Sequence, residues 1–168
     1  IGSGVGGAVV KDTRIHHGRH LHGGEFGFMV VGADHHILSE TGSTRAVAEA
    51  VADAKGVPHD EMDGEKAFAL AVGGDMDAQN AGDAMQDALA RAAYNIQYSI
   101  DPEVIVLGGA VSERPGFAEA IQQKIDQLLK DVEIAHVRPV VAAAQHGNDA
   151  NLLGAVRNLL DKLEAKKK

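Results

Sequence analysis

Residues 104–112 read VIVLGGAVS, a continuous apolar run that stops at two glycines. Asp101 and Pro102 turn the chain into it. An apolar run bounded by turn signals suits a strand covered on both faces, as in sheets packed under helices. The flanks agree. Residues 80–100 (NAGDAMQDALARAAYNIQYSI) place Ala84, Met85, Ala88, Leu89, Ala92, Ala93 and Ile96 on one helical stripe. Residues 113–131 (ERPGFAEAIQQKIDQLLKD) turn Phe117, Ile121, Ile125, Leu128 and Leu129 inward on a second helix. HVRPVVAAAQ (136–145) predicts a further strand, and NDANLLGAVRNLLDKLEAKKK (148–168) a closing helix. Upstream, STRAVAEAVADAKGVP predicts a helix with Ala46, Val47, Ala50, Val51 and Ala54 apolar, Ser43 or Thr44 as its cap and Gly56 and Pro58 as its end. GEKAFALAVGG predicts a shorter helix. GVGGAVVKDTRIHHG predicts two strands around a turn at Lys11–Arg14, and GEFGFMVVG a third. Strands first, then helices alternating with single strands, give an α/β domain with a mixed sheet flanked by helices.

Bulk composition removes several classes. A chain of 168 residues fits one domain with a proper core, and with aromatics at 4% that core must be Val, Leu, Ile and Ala. The net charge of −8 weighs against broad binding to nucleic acid or anionic membrane. The basic EAKKK terminus reads as a solvated helix end. With no cysteine there is neither a disulfide framework nor a thiolate metal site. No apolar run approaches a membrane span, and no signal peptide is visible, so the cytoplasm is the expected location.

Four segments could carry chemistry. The opening IGSGVGG offers unobstructed backbone N–H groups and the Ser3 hydroxyl, which suit phosphate oxygens. It precedes a strand rather than a helix, so it is neither a Rossmann fingerprint nor a Walker loop, and a plain glycine-rich hairpin fits the same letters. The twin glycine of VIVLGGAVS ends a strand where ligands gather in α/β folds, and lets a flat ring approach the backbone. A tight strand-to-loop turn is the alternative. Glu25, flanked by glycines, could accept hydrogen bonds from sugar hydroxyls or be a surface glutamate. His16, His17, His20 and His22, with His35 and His36, match no structural zinc spacing and read as solvated loop residues, although His20 and His22 would share one strand face.

In their order these motifs resemble the C-terminal half of the ROK family of repressors, open reading frames and sugar kinases, from Ile1 to about Leu160. The resemblance implies the actin-like ATPase (ribonuclease H-like) fold, with residues 1–168 as the C-terminal lobe. GSGVGG resembles the family's second phosphate loop, Gly-Thr-Gly-Ile-Gly-Gly, with Ser3 at the threonine. It implies that Gly2, Ser3, Gly4 and Gly6 line the terminal phosphates of ATP. LGGAVS resembles the adenosine motif, implying that Gly108, Gly109 and Ala110 face the nucleoside. GEFG resembles the Glu-x-Gly-His sugar motif, implying that Glu25 binds sugar hydroxyls. Phe28 stands where many members carry a zinc-ligating histidine. VVGADHHILSETGS replaces their cysteine-rich loop, and a sugar-contacting glutamate falls on Ser39 with Glu40 beside it. No zinc is therefore expected, and Glu40 is the candidate second sugar contact. This pattern is similar to the zinc-free branch of sugar or β-glucoside kinases.

The resemblance further implies that the first phosphate motif and the catalytic aspartate, the general base on the sugar hydroxyl, would precede Ile1 in an N-terminal lobe. Transfer of the γ-phosphate of ATP would use Mg2+ for charge neutralisation. The chain alone is then expected to have negligible kinase activity. A homodimer is expected from the apolar surface left by the absent lobe. The rival readings are the effector domain of a sugar-responsive repressor, with nucleic acid as a partner only if a helix-turn-helix lies upstream, and a non-catalytic interaction domain.

Overall fold

The computed structural model describes residues 1–32 and 34–166, the side chains of Asn148 and Ala165 excepted. In chain order its elements are β1 (Val9–Lys11), β2 (Arg14–His16), α1 (Leu38–Thr41), α2 (Thr44–Lys55), α3 (Gly64–Val72), α4 (Met76–Ile100), β3 (Ile105–Leu107), α5 (Phe117–Asp131), β4 (Val141–Ala143) and α6 (Ala150–Ala165). Lys167 and Lys168 of the EAKKK terminus lie outside the described residues.

The fold is organised around α4. It packs on α2, α3 and α5 and carries the centre of the core. Six residues of the expected stripe are buried: Met85, Ala88, Leu89, Ala92, Ala93 and Ile96. Ala84 is exposed. Ala78 and Ala90 are buried as well, because α4 has helices on more than one side. The helix starts before the expected residue 80, at Met76. Gly73 and Gly74 break α3, and the Asp75 carboxylate then accepts from Ala78 N at 3.1 Å as an N-cap. α2 begins as its sequence indicates: Ser43 Oγ, fully buried, accepts from Ala46 N at 3.1 Å, and Gly56 ends the helix in the left-handed region. Its buried face differs from the expected one. Val47, Ala48, Val51 and Ala52 face α4, while Ala50 and Ala54 are exposed.

The strands form two separate two-stranded sheets among the described residues. β1 and β2 pair antiparallel around the predicted turn, with Val10 opposite Ile15. β3 and β4 pair parallel, with Val106 opposite Ala142, and α5 supplies the crossover. Both pairing senses of the expected mixed sheet are therefore present, in different sheets. β3 is not covered on both faces: Leu107 is buried but Val106 is 59% exposed. α5 packs on one face only, through Phe117, Ile121 and Ile125, with Leu128 and Leu129 half-buried.

The third expected strand, at 24–32, is absent. Phe26–Phe28 is a single 3-10 turn, and Val30 makes one isolated bridge with Ile37. His20 and His22 lie in the exposed loop after β2, not on a strand. Along α6, Leu152, Leu153, Val156, Leu159, Leu160 and Leu163 are all exposed, so its apolar side has no cover among the described residues.

The approach to β4 is pinned to α5 by polar contacts. Gln122 bonds Pro139 O and Val141 N at 3.1 Å each. Arg138 grips Asp126 with two bonds, of 2.6 and 2.9 Å. That guanidinium holds the Asp126 carboxyl below the usual carboxylate range. A lowered folded-state value stabilises the fold above the unfolded value, and the contribution is lost as pH falls through the lowered one. Asp126→Asn is therefore expected to lower the urea midpoint slightly at about pH 7 and to match the wild type at about pH 2. A gap that persists in acid would contradict this assignment.

Candidate functional site

The opening loop and the turn after β3 lie against each other. Ile1 N donates to Gly108 O at 2.8 Å. Gly109 has φ +90°, where an L side chain is strained, and a Cβ there would overlap the Ile1 carbonyl. Ser112, buried on the 3-10 turn Ala110–Glu113, closes the LGGAVS segment by donating from its Oγ to Gly109 O at 2.7 Å. Ile1 and the Gly108–Gly109 pair, more than a hundred residues apart in sequence, are thus in direct contact.

The rest of the glycine loop is tied down from behind. Gly2 O accepts from both Thr44 N and Thr44 Oγ1 at 2.9 Å, at the first residue of α2. Ser39 Oγ on α1 accepts from Val5 N and donates to Val5 O, each at 3.0 Å. The front stays open. A Cβ on Gly2, Gly6 or Gly108 would meet nothing within 4 Å. Among the described residues, the amides of Ser3, Gly4 and Gly6 donate to nothing. Free amides on a clamped glycine backbone suit an anion with several oxygens.

Glu25 is exposed at the start of the Phe26–Phe28 turn, and its carboxylate has no partner among the described residues. Gly27 of that turn is buried against the Val5 carbonyl, which joins the turn to the glycine loop. Phe28 is 67% exposed. Glu40 is also exposed, but its Oε2 accepts from Ile37 N at 3.1 Å and pairs with His36 Nδ1 at 3.3 Å, so it caps α1. Ala110 is exposed beside the twin glycine. An open cleft of about 610 Å3 lies beyond the ends of the two parallel strands, lined by Glu113, Gln145, His146, Gly147 and Asp149. Among the described residues no group of three His, Cys, Asp or Glu is placed to hold a metal ion. Among the described residues no helix is long and apolar enough to cross a membrane.

The structure therefore brings the first two sequence candidates together and sets the third behind one of them. Sequence reasoning missed the clamps, Thr44 and Ser39. Ser39 was singled out only for the position it occupies, and nothing local signals its two bonds across 34 residues.

Comparison with known proteins gives the same picture. A β-glucoside kinase of Klebsiella pneumoniae is 31% identical over 162 residues, 93% of this chain and 52% of that protein. A ROK family protein from Streptococcus pneumoniae TIGR4, solved in complex with sucrose, superposes with a TM-score of 0.87 at 35% identity, covering 98% of this chain and 57% of that one. A ROK family glucokinase from Streptomyces griseus, solved with glucose and AMPPNP, shares the fold at a TM-score of 0.74 and 22% identity, over 92% of this chain and 57% of that one. The chain thus spans about half the length of the relatives it matches, and its α/β architecture is that of their actin-like ATPase fold. The ROK family model matches residues 1–162, nearly the whole chain, and the chain belongs to the ROK family.

Proposed function

We propose that the chain forms the nucleotide-facing half of an ATP-dependent sugar kinase. The observation that carries this reading is the contact of Ile1 with Gly108 and Gly109, which makes one open surface of the two glycine segments. When bound, ATP supplies the phosphoryl group that is transferred to a sugar hydroxyl. Gly2, Ser3, Gly4 and Gly6 hold its phosphates through backbone amides and the Ser3 hydroxyl. Clamped donors of this kind need no reorganisation as charge develops, which is the main electrostatic contribution a loop can make. Gly108, Gly109 and Ala110 take the nucleoside, and the open space above Gly108 supports that role.

Glu25 accepts hydrogen bonds from the sugar, and its lack of a partner among the described residues supports this. For Glu40 to reach sugar it must leave Ile37 N and His36, so its role is secondary. Mg2+ and zinc find no ready-made ligand group among the described residues. The general base is not among the residues assigned here, so the chain by itself is proposed to have negligible transfer activity. An N-terminal lobe is the proposed partner for the uncovered apolar side of α6, with homodimerisation as the further expectation and the cytoplasm as the location.

Calorimetric titration with a non-hydrolysable ATP analogue and with adenosine tests the reading. Binding of both, with the analogue tighter, is the expected result. Binding of neither would overturn it.

A further inference from the structure

Three segments meet on the backbone of one residue, Val5. Ser39 Oγ takes the Val5 N–H and gives its own hydrogen to Val5 O, each at 3.0 Å. Gly27, from the turn that carries Glu25, packs so closely that a Cβ there would overlap Val5 O and come within 2.5 Å of Ser39 Oγ. Val5 itself lies between Gly4 and Gly6. Val5 O lies in the planar peptide unit that carries the Gly6 N–H, and Gly6 has no Cβ to restrict its torsions, so the bond from Ser39 sets where that amide points, while the bond from Val5 N fixes the Gly4–Val5 unit before it. One hydroxyl makes both bonds, and with its hydrogen committed to Val5 O it has none to offer a ligand.

We infer that Ser39 is a positioning residue for phosphate binding: it fixes the two peptide units that flank Val5, aims the Gly6 amide of the glycine loop, and makes that loop and the Glu25 turn one mechanical unit. The inference rests on the nucleotide reading above and deepens it. It gives Ser39 a role through the backbone rather than through contact with substrate. It also gives a reason why the Glu25 turn is a 3-10 turn and not a strand: only the turn brings Gly27 down onto Val5.

Ser39→Ala tests it with two probes. The variant is expected to bind the non-hydrolysable ATP analogue about tenfold more weakly, the worth of one or two hydrogen bonds, and to bind adenosine as the wild type does. Amide exchange at Val5 is expected to accelerate while the amides of α4 keep their protection. Equal losses for the analogue and adenosine would reduce Ser39 to a structural role and overturn the inference. Unchanged analogue binding would overturn it too, while leaving the nucleotide reading intact. A wild type that binds neither probe removes both. If Ser39→Ala does not fold, Ser39→Cys keeps the shape with weaker hydrogen bonds, and the same selective loss is required of it.

Discussion

Gly109→Ala is expected to be among the most damaging single-methyl changes the chain can suffer. Two costs coincide there. The residue sits at φ +90° and ψ 165°, a conformation that alanine adopts only with strain of about 1–3 kcal/mol. Its Cβ would also overlap the Ile1 carbonyl, and neither backbone can yield without breaking the Ile1–Gly108 bond. Overpacking of this kind costs a further ~1–3 kcal/mol. A fall in stability of several kcal/mol, measured by urea denaturation, should accompany loss of nucleotide binding. Gly108→Ala is the control. Its Cβ meets nothing within 4 Å, so stability should change by less than about 0.5 kcal/mol while affinity for adenosine falls. If the two variants behave alike, the difference in their surroundings does not govern the site.

Gly27→Ala is the second large effect. Its backbone is not in the left-handed region, so the cost is one of space alone. The residue is buried, and an added methyl would drive the Phe26–Phe28 turn off the Val5 carbonyl and press on Ser39 Oγ. A loss of about 1–3 kcal/mol is expected from overpacking. The change lies behind the loop and touches no expected ligand position, so weakened binding of the ATP analogue with adenosine binding retained would show that the turn acts through Val5. Wild-type stability in this variant would mean that the close contact is relieved by a small shift and has no mechanical role.

Much of the fold was legible because it is locally encoded. The caps of α2 and the turn between β1 and β2 sit within a few residues of the elements they set. The buried face of α2 was not legible, since alanine occupies positions 46, 48, 50, 52 and 54 and no period can choose among them. β3 was read as buried on both faces because apolar letters do not say what will cover them, and Val106 is left open. The letters of GEFGFMVVG predict a strand. Its real shape depends on packing of Gly27 against Val5, a contact between distant segments. The site shows the same division. Gly2, Gly108 and Glu25 announce themselves by type and order, whereas Thr44 and Ser39 act through bonds to loops 42 and 34 residues away.

The central claim is that the two glycine segments form one nucleotide site. It is tested most directly by following the backbone amide resonances of the 15N-labelled chain as a non-hydrolysable ATP analogue is added. The largest shifts are expected to fall together on Gly2–Gly6 and Gly108–Ala110 and to saturate with one dissociation constant. Shifts confined to one segment, or centred on the exposed face of α6, would contradict it.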